Sequence, residues 1–137
     1  MASGEEFEFQ VLQHPIQCFP FVRLLTCFLI FIDNGPCLGW REDPTQQYQW
    51  MSYDESLLRA HHFGSGLVAL GLRPGPETLV GIYSQNCPEW VLSEYGLYSF
   101  SMVGVPLYDT LGPNSCRYII NQSRIPVFYQ KSFCLSC

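Results

Sequence analysis

The chain has 137 residues, a formal net charge of −5, and 14 % charged residues against 47 % hydrophobic and 15 % aromatic ones. That length suffices for one core, but typical soluble domains carry about a quarter charged residues, so the composition suggests a piece covered by more protein or by membrane. A single lysine, Lys131, and six scattered arginines exclude nucleic acid as a partner, because gripping a phosphate backbone takes a clustered basic patch.

Three zones follow in chain order. Residues 1–33 begin acidic, with Glu5, Glu6 and Glu8 where a secretory signal would carry positive charge. Seven cysteines in no framework spacing are then expected to be reduced thiols of a cytosol-facing, non-secreted protein. The acceptor-like Asn121-Gln-Ser123 is accordingly expected to stay unglycosylated. The apolar run Phe19–Ile32 is interrupted by Pro20 and Arg23 and falls short of the roughly twenty residues a membrane span needs. A buried helix or strand is its first reading and interfacial membrane contact its second.

Residues 34–122 alternate strand and helix signals. Cys37–Arg41 and Gln47–Met51 flank a Glu-Asp-Pro-Thr turn and predict a hairpin. Ser52-Tyr-Asp-Glu55 has the form of a capping box and opens a helix to Leu70, with Gly71 as its left-handed stop. Leu79–Tyr83 is a continuous apolar run, the pattern of a strand buried on both faces. Asn86 with Glu89, and Pro88 in the first turn, predict a helix reaching Ser101. Val103–Leu107 is the next strand, and Asn114 is expected to cap a helix ending near Gln122. Residues 123–137 start with a strand, Ile125–Tyr129, and then lose any pattern. The order is βαβαβ, which predicts an α/β fold: a partial parallel, Rossmann-like sheet with flanking helices and right-handed crossovers.

Few residues here carry chemistry. Gly64-Ser-Gly-Leu-Val-Ala69 spells the dinucleotide fingerprint G-x-G-x-x-A, but it falls in mid-helix instead of between a strand and a helix N-terminus. Packing of that helix against the sheet is the better reading. Cys134 and Cys137 have redox or zinc spacing without the further ligands or the helix such sites use. His61 and His62 point about 100° apart on a helix and cannot share one metal. No nucleophile has a positioned base. Glu89 and Asp109 lie in strand-to-helix loops, at the carboxyl ends of parallel strands where α/β proteins bind ligands. Glu89 is read as a capping residue, and Asp109 as turn-forming with Thr110 or as a ligand contact in a longer protein.

Three segments carry a family resemblance: Val105-Pro-Leu-Tyr-Asp-Thr-Leu-Gly112, Gln85-Asn-Cys-Pro-Glu-Trp90 and Asn34-Gly-Pro-Cys-Leu-Gly39, supported by Tyr48-Gln-Trp-Met-Ser-Tyr53. In this order they resemble the N-terminal region of long-chain fatty acyl-CoA synthetases, which are adenylate-forming enzymes. The resemblance covers residues 34–122. It implies an activity in which ATP turns a fatty acid into an acyl-adenylate and the thiol of coenzyme A displaces AMP. It also implies a location at the endoplasmic reticulum or mitochondrial outer membrane.

The family's phosphate loop, adenine-contacting aromatic motif, ribose-binding aspartate and adenylation lysine map onto no position of this sequence. No catalytic, cofactor-binding or metal-binding residue is therefore carried over. The family uses ATP, magnesium and coenzyme A, and none is expected to be a cofactor of this polypeptide alone. Residues 1–33 and the tail from Gln130 depart from the family and look like alternative ends, as from splicing or read-through. The expectation is a catalytically incapable piece of a ligase. Its possible partners are a full-length synthetase, met through an open sheet edge, or a membrane surface.

Overall fold

Leu79–Tyr83 lies at the centre of the fold because a strand with no polar face must be covered on both sides. The computed structural model describes residues 33–130. These form β1 (Pro36–Trp40), β2 (Gln49–Ser52), α1 (Tyr53–Ala69), β3 (Leu79–Tyr83), α2 (Pro88–Ser99), β4 (Val103–Leu107), α3 (Gly112–Ser123) and β5 (Val127–Gln130), with a 3-10 turn at Asp109–Leu111 leading into α3. The apolar run 19–32, Lys131 and the Cys134/Cys137 pair lie outside the described residues.

The predicted parallel α/β sheet is present. Its order is β4-β3-β5. β3 pairs parallel with β4 from Leu79 opposite Val103 to Tyr83 opposite Leu107. It pairs parallel with β5 from Val80 opposite Val127 to Tyr83 opposite Gln130. The predicted hairpin is present too, as a separate antiparallel pair of β1 and β2 with a register irregularity between Pro36 and Leu38. Its turn is tied by the Asp43 carboxylate, which accepts from the Thr45 amide at 2.7 Å and from the Thr45 hydroxyl. Those bonds hold the Asp43 carboxyl below the usual range.

Helix α1 begins as half of the predicted capping box. The Ser52 hydroxyl accepts from the Glu55 amide at 3.3 Å. The Glu55 carboxylate is instead taken by Arg59, one turn on, a pairing that suits an exposed helix face. α1 ends on Gly71 as predicted. The Leu72 amide donates to the Leu67 carbonyl and the Gly71 amide to the Val68 carbonyl, with Gly71 at φ +97°, which together make a Schellman motif. Leu67, Val80, Ile82, Leu97 and Met102 are the buried core, and Leu72 packs against it.

Several boundaries and one packing role differ from expectation. Asn86 does not cap α2: Cys87 does, in an extended conformation (φ −155°, ψ 163°), and no side chain bonds the cap. Pro88 decides this, because proline belongs in the first helical turn and forces the residue before it into the extended region. Asn114 likewise lies inside α3, which starts at Gly112 after the N-cap Leu111. α2 ends at Ser99, before the expected Ser101. β5 starts at Val127, beyond Pro126, which has no amide hydrogen to give a ladder. Finally, the Gly64 region packs against another helix, not the sheet. A Cβ on Gly64 would lie 2.8 Å from the Gly96 carbonyl oxygen, and one on Gly96 would lie 2.5 Å from the Ala60 carbonyl oxygen. The two glycines let the backbones of α1 and α2 touch.

Candidate functional site

Parallel strands carry side chains to a common end, and a cleft opens there. Tyr83, Leu107 and Gln130 close β3, β4 and β5, and Phe128 forms part of the floor. α3 lies across the opening and contributes Pro113, Cys116 and Ile120, a spacing that puts all three on one helical face. Gly112, with φ +75°, begins that helix and lines the cleft as well. The cleft encloses about 300 Å³. The Cys116 thiol donates to the Tyr108 carbonyl oxygen at 3.7 Å. Its polar groups are therefore a phenol, a thiol and an amide, and its remaining lining is aliphatic or aromatic. Among the described residues, no arginine, lysine or carboxylate lines it.

A second cleft of about 590 Å³ lies between the hairpin and the first turn of α2. Arg41, Glu42 and Tyr48 line one side, and Asn86, Cys87 and Glu89 the other. The Arg41 guanidinium stacks 4.9 Å from the Tyr48 ring centroid and donates to the Pro44 carbonyl, so this cation is engaged within the hairpin.

The two acidic residues singled out from sequence belong to different elements. Glu89 is in the first turn of α2 and lines the second cleft, and its carbonyl accepts from the Ser93 hydroxyl. Asp109 opens the 3-10 turn after β4. His61 and His62 are exposed on α1. The His61 ring lies 5.3 Å from that of Phe100, and its Nδ1 lies 3.4 Å from the Ser65 hydroxyl. Among the described residues no group of three or more His, Cys, Asp or Glu could hold a metal ion. No helix among them is long and apolar enough to cross a membrane.

Four of the described groups have shifted acidity, Cys37, Asp43, Tyr95 and Tyr98, and none of them lines a cleft. Burial raises the Cys37 thiol, offset in part by a bond to Ser56. Burial also raises the Tyr98 phenol, to about 12, together with its bond to the Glu94 carboxylate at 2.6 Å. The cleft-lining face of α3 was not found from sequence, although the spacing of residues 113, 116 and 120 signals it.

Known proteins agree with this architecture. The AMP-binding enzyme family matches residues 34–134, and the chain belongs to that family. Long-chain-fatty-acid–CoA ligase 6 of Rattus norvegicus is 54 % identical over 92 residues, which are 67 % of this chain and 13 % of that protein. Long-chain-fatty-acid–CoA ligase 1 of Homo sapiens is 43 % identical over 97 residues, 71 % of this chain and 14 % of that protein. Among solved structures, the anthranilate CoA ligase AuaEII in complex with anthranoyl-AMP superposes with a TM-score of 0.68 and 25 % identity, over 80 % of this chain and 20 % of that one. The resemblance to long-chain acyl-CoA synthetases thus holds over a partial region: the chain spans 13–14 % of the length of the ligases it matches.

Proposed function

We propose that this chain supplies part of the sheet-and-helix scaffold of a long-chain fatty-acid–CoA ligase, and that the 137-residue polypeptide does not form an acyl-adenylate by itself. The observation that supports this is the chemistry of the cleft at the strand ends. A triphosphate with its magnesium needs fixed cations, amide donors and carboxylates around the charge that develops on phosphorus. Among the described residues, those lining the cleft offer one phenol, one thiol and one amide, which do not fit that group. The corresponding location is a cytosol-facing one, at the membranes where such ligases act.

Pyrophosphate release from ATP in the presence of palmitate and magnesium tests this reading. The polypeptide is expected to stay at the uncatalysed rate under conditions in which a long relative turns over. Release that saturates with palmitate would refute it.

A second reading has its own support. α3 has no buried residue, and Phe128 on β5 is 54 % exposed, so this side of the sheet offers apolar surface to another chain. In this reading the polypeptide pairs with a longer synthetase and alters its activity. Co-purification of the two would favour it, and a monomeric elution with the ligase present in excess would refute it.

A further inference from the structure

The three helices are not held to the sheet equally. α1 buries Ala60 and Leu67, and α2 buries Leu92 and Leu97, whereas α3 buries no residue. The two faces of the sheet explain this. Val80 and Ile82 pack with Leu67 and Leu97, and the Tyr129 ring meets that of Phe63 edge-on at 5.4 Å, so α1 and α2 share one face. Alternation along the strands turns Gly81, Tyr83, Phe128 and Gln130 to the other face, the one that α3 crosses.

On that face the central strand offers no side chain at Gly81. A Cβ there would lie 3.0 Å from the Phe128 Cβ and 3.3 Å from the Leu107 Cδ1, so the flanking strands close over the gap. Pro113, Cys116 and Ile120 of α3 meet them across the cleft of about 300 Å³; Pro113 is exposed and the other two are half-buried. Each end of α3 sits on a residue of positive φ, Gly112 (φ +75°, ψ 162°) and Arg124 (φ +50°, ψ 42°). Glycine moves through that region freely, whereas Arg124 is held there against the preference of its side chain. No side chain caps the N-terminus of α3, and its first turn carries no acidic residue, so neither stabilises that end. The bond from the Cys116 thiol to the Tyr108 carbonyl oxygen, at 3.7 Å, is a weak tie.

We propose that α3 is a lid on the cleft, opening as a unit about Gly112 and Arg124 while the sheet, α1 and α2 stay folded. A segment with few buried contacts opens at a lower free energy than the core it rests on. Opening costs α3 the half-buried contacts of Cys116 and Ile120 and leaves the Leu67–Leu97 core on the far face of the sheet untouched. It bares the apolar floor at Leu107 and Phe128 together with the polar tips of Tyr83 and Gln130, and closure shuts water out of the same place. Access to the strand ends is thereby set by the packing of α3, separately from the stability of the fold.

Native-state hydrogen exchange of the full 137-residue chain, followed in urea below the unfolding midpoint, reads this out. The α3 amides from Cys116 to Ser123 are expected to exchange roughly tenfold or more faster than the β3 amides at residues 79–83, with a much shallower dependence on urea. Ile120→Ala should speed the α3 amides about fivefold and leave those of β3 unchanged. Gly66→Ala, on α1, should slow the β3 amides about threefold and leave those of α3 unchanged. The proposal is overturned if α3 and β3 share one rate and one urea slope, or if each substitution moves both sets alike, because α3 would then belong to the cooperative core. It is equally overturned if the α3 amides exchange as fast as a free peptide, since a lid has to close.

Discussion

Gly64 and Gly96 face each other where α1 crosses α2, so closely that a Cβ on Gly96 would lie 2.5 Å from the Ala60 carbonyl oxygen and 3.2 Å from the Gly64 amide nitrogen. Both obstacles are backbone and cannot rotate away. Gly96→Ala is therefore expected to destabilise by roughly 1–3 kcal/mol through overpacking, although alanine is the better helix former. Gly66, two residues past Gly64 on α1, has nothing within 4 Å of its would-be Cβ. Gly66→Ala should stabilise by about 0.5–1 kcal/mol. Urea unfolding of the two variants checks the opposite signs.

Ser101 occupies the position at the end of α2 that Gly71 occupies at the end of α1. The Met102 amide donates to the Leu97 carbonyl and the Ser101 amide to the Tyr98 carbonyl, with Ser101 at φ +56°. This is again a Schellman motif, completed by contact between the buried Leu97 and Met102. A side chain in the left-handed region costs about 1–2 kcal/mol, part of which glycine returns as lost chain entropy. Ser101→Gly should therefore stabilise by about 0.5–1 kcal/mol, visible as a higher urea midpoint with an unchanged slope.

These two helix ends show what the sequence could and could not reveal. Gly71 announced its motif by being glycine. Ser101 did not, and the expected helix ran up to it. The strands were legible because Leu79–Tyr83 and Val103–Leu107 are apolar runs between turn residues. Asn86 and Asn114 have the residue type of a cap, but proline in the first turn decides both starts, with Cys87 and Leu111 as the observed N-caps. The role of Gly64 depended on which element lies above it, and residue spacing within one helix does not carry that information. The cleft was legible only as a place, the carboxyl ends of the strands, because its α3 face is assembled by tertiary packing.

The Tyr98 phenol, raised to about 12, makes stability fall in alkali. The native state holds this proton more tightly than the unfolded chain, whose tyrosines titrate near 10. The contribution is thus intact below about pH 10 and is lost as the pH rises toward 12. Urea midpoints at pH 9 and pH 11 should drop for the parent chain and drop less for Tyr98→Phe. Equal drops would assign the alkaline loss to other groups, such as Tyr95, which is also raised by burial.

Leu97 is fully buried between α2 and the sheet, whereas α3 contributes no buried residue to the fold. Leu97→Ala should cost roughly 2–5 kcal/mol, enough to abolish cooperative unfolding in a domain of marginal stability. Ile120→Ala in α3 should cost well under half as much. Circular dichroism melts compare the two directly, and equal losses would contradict the assignment of the core.

Nucleotide capture by the purified polypeptide is the most direct test of the central proposal, that this piece of an AMP-binding scaffold does not hold a triphosphate by itself. Titration calorimetry of ATP into the 137-residue chain, with and without magnesium, is expected to give no saturable heat in either case. Saturable binding that requires magnesium, lost when Tyr83 or Gln130 at the strand ends is replaced, would contradict it.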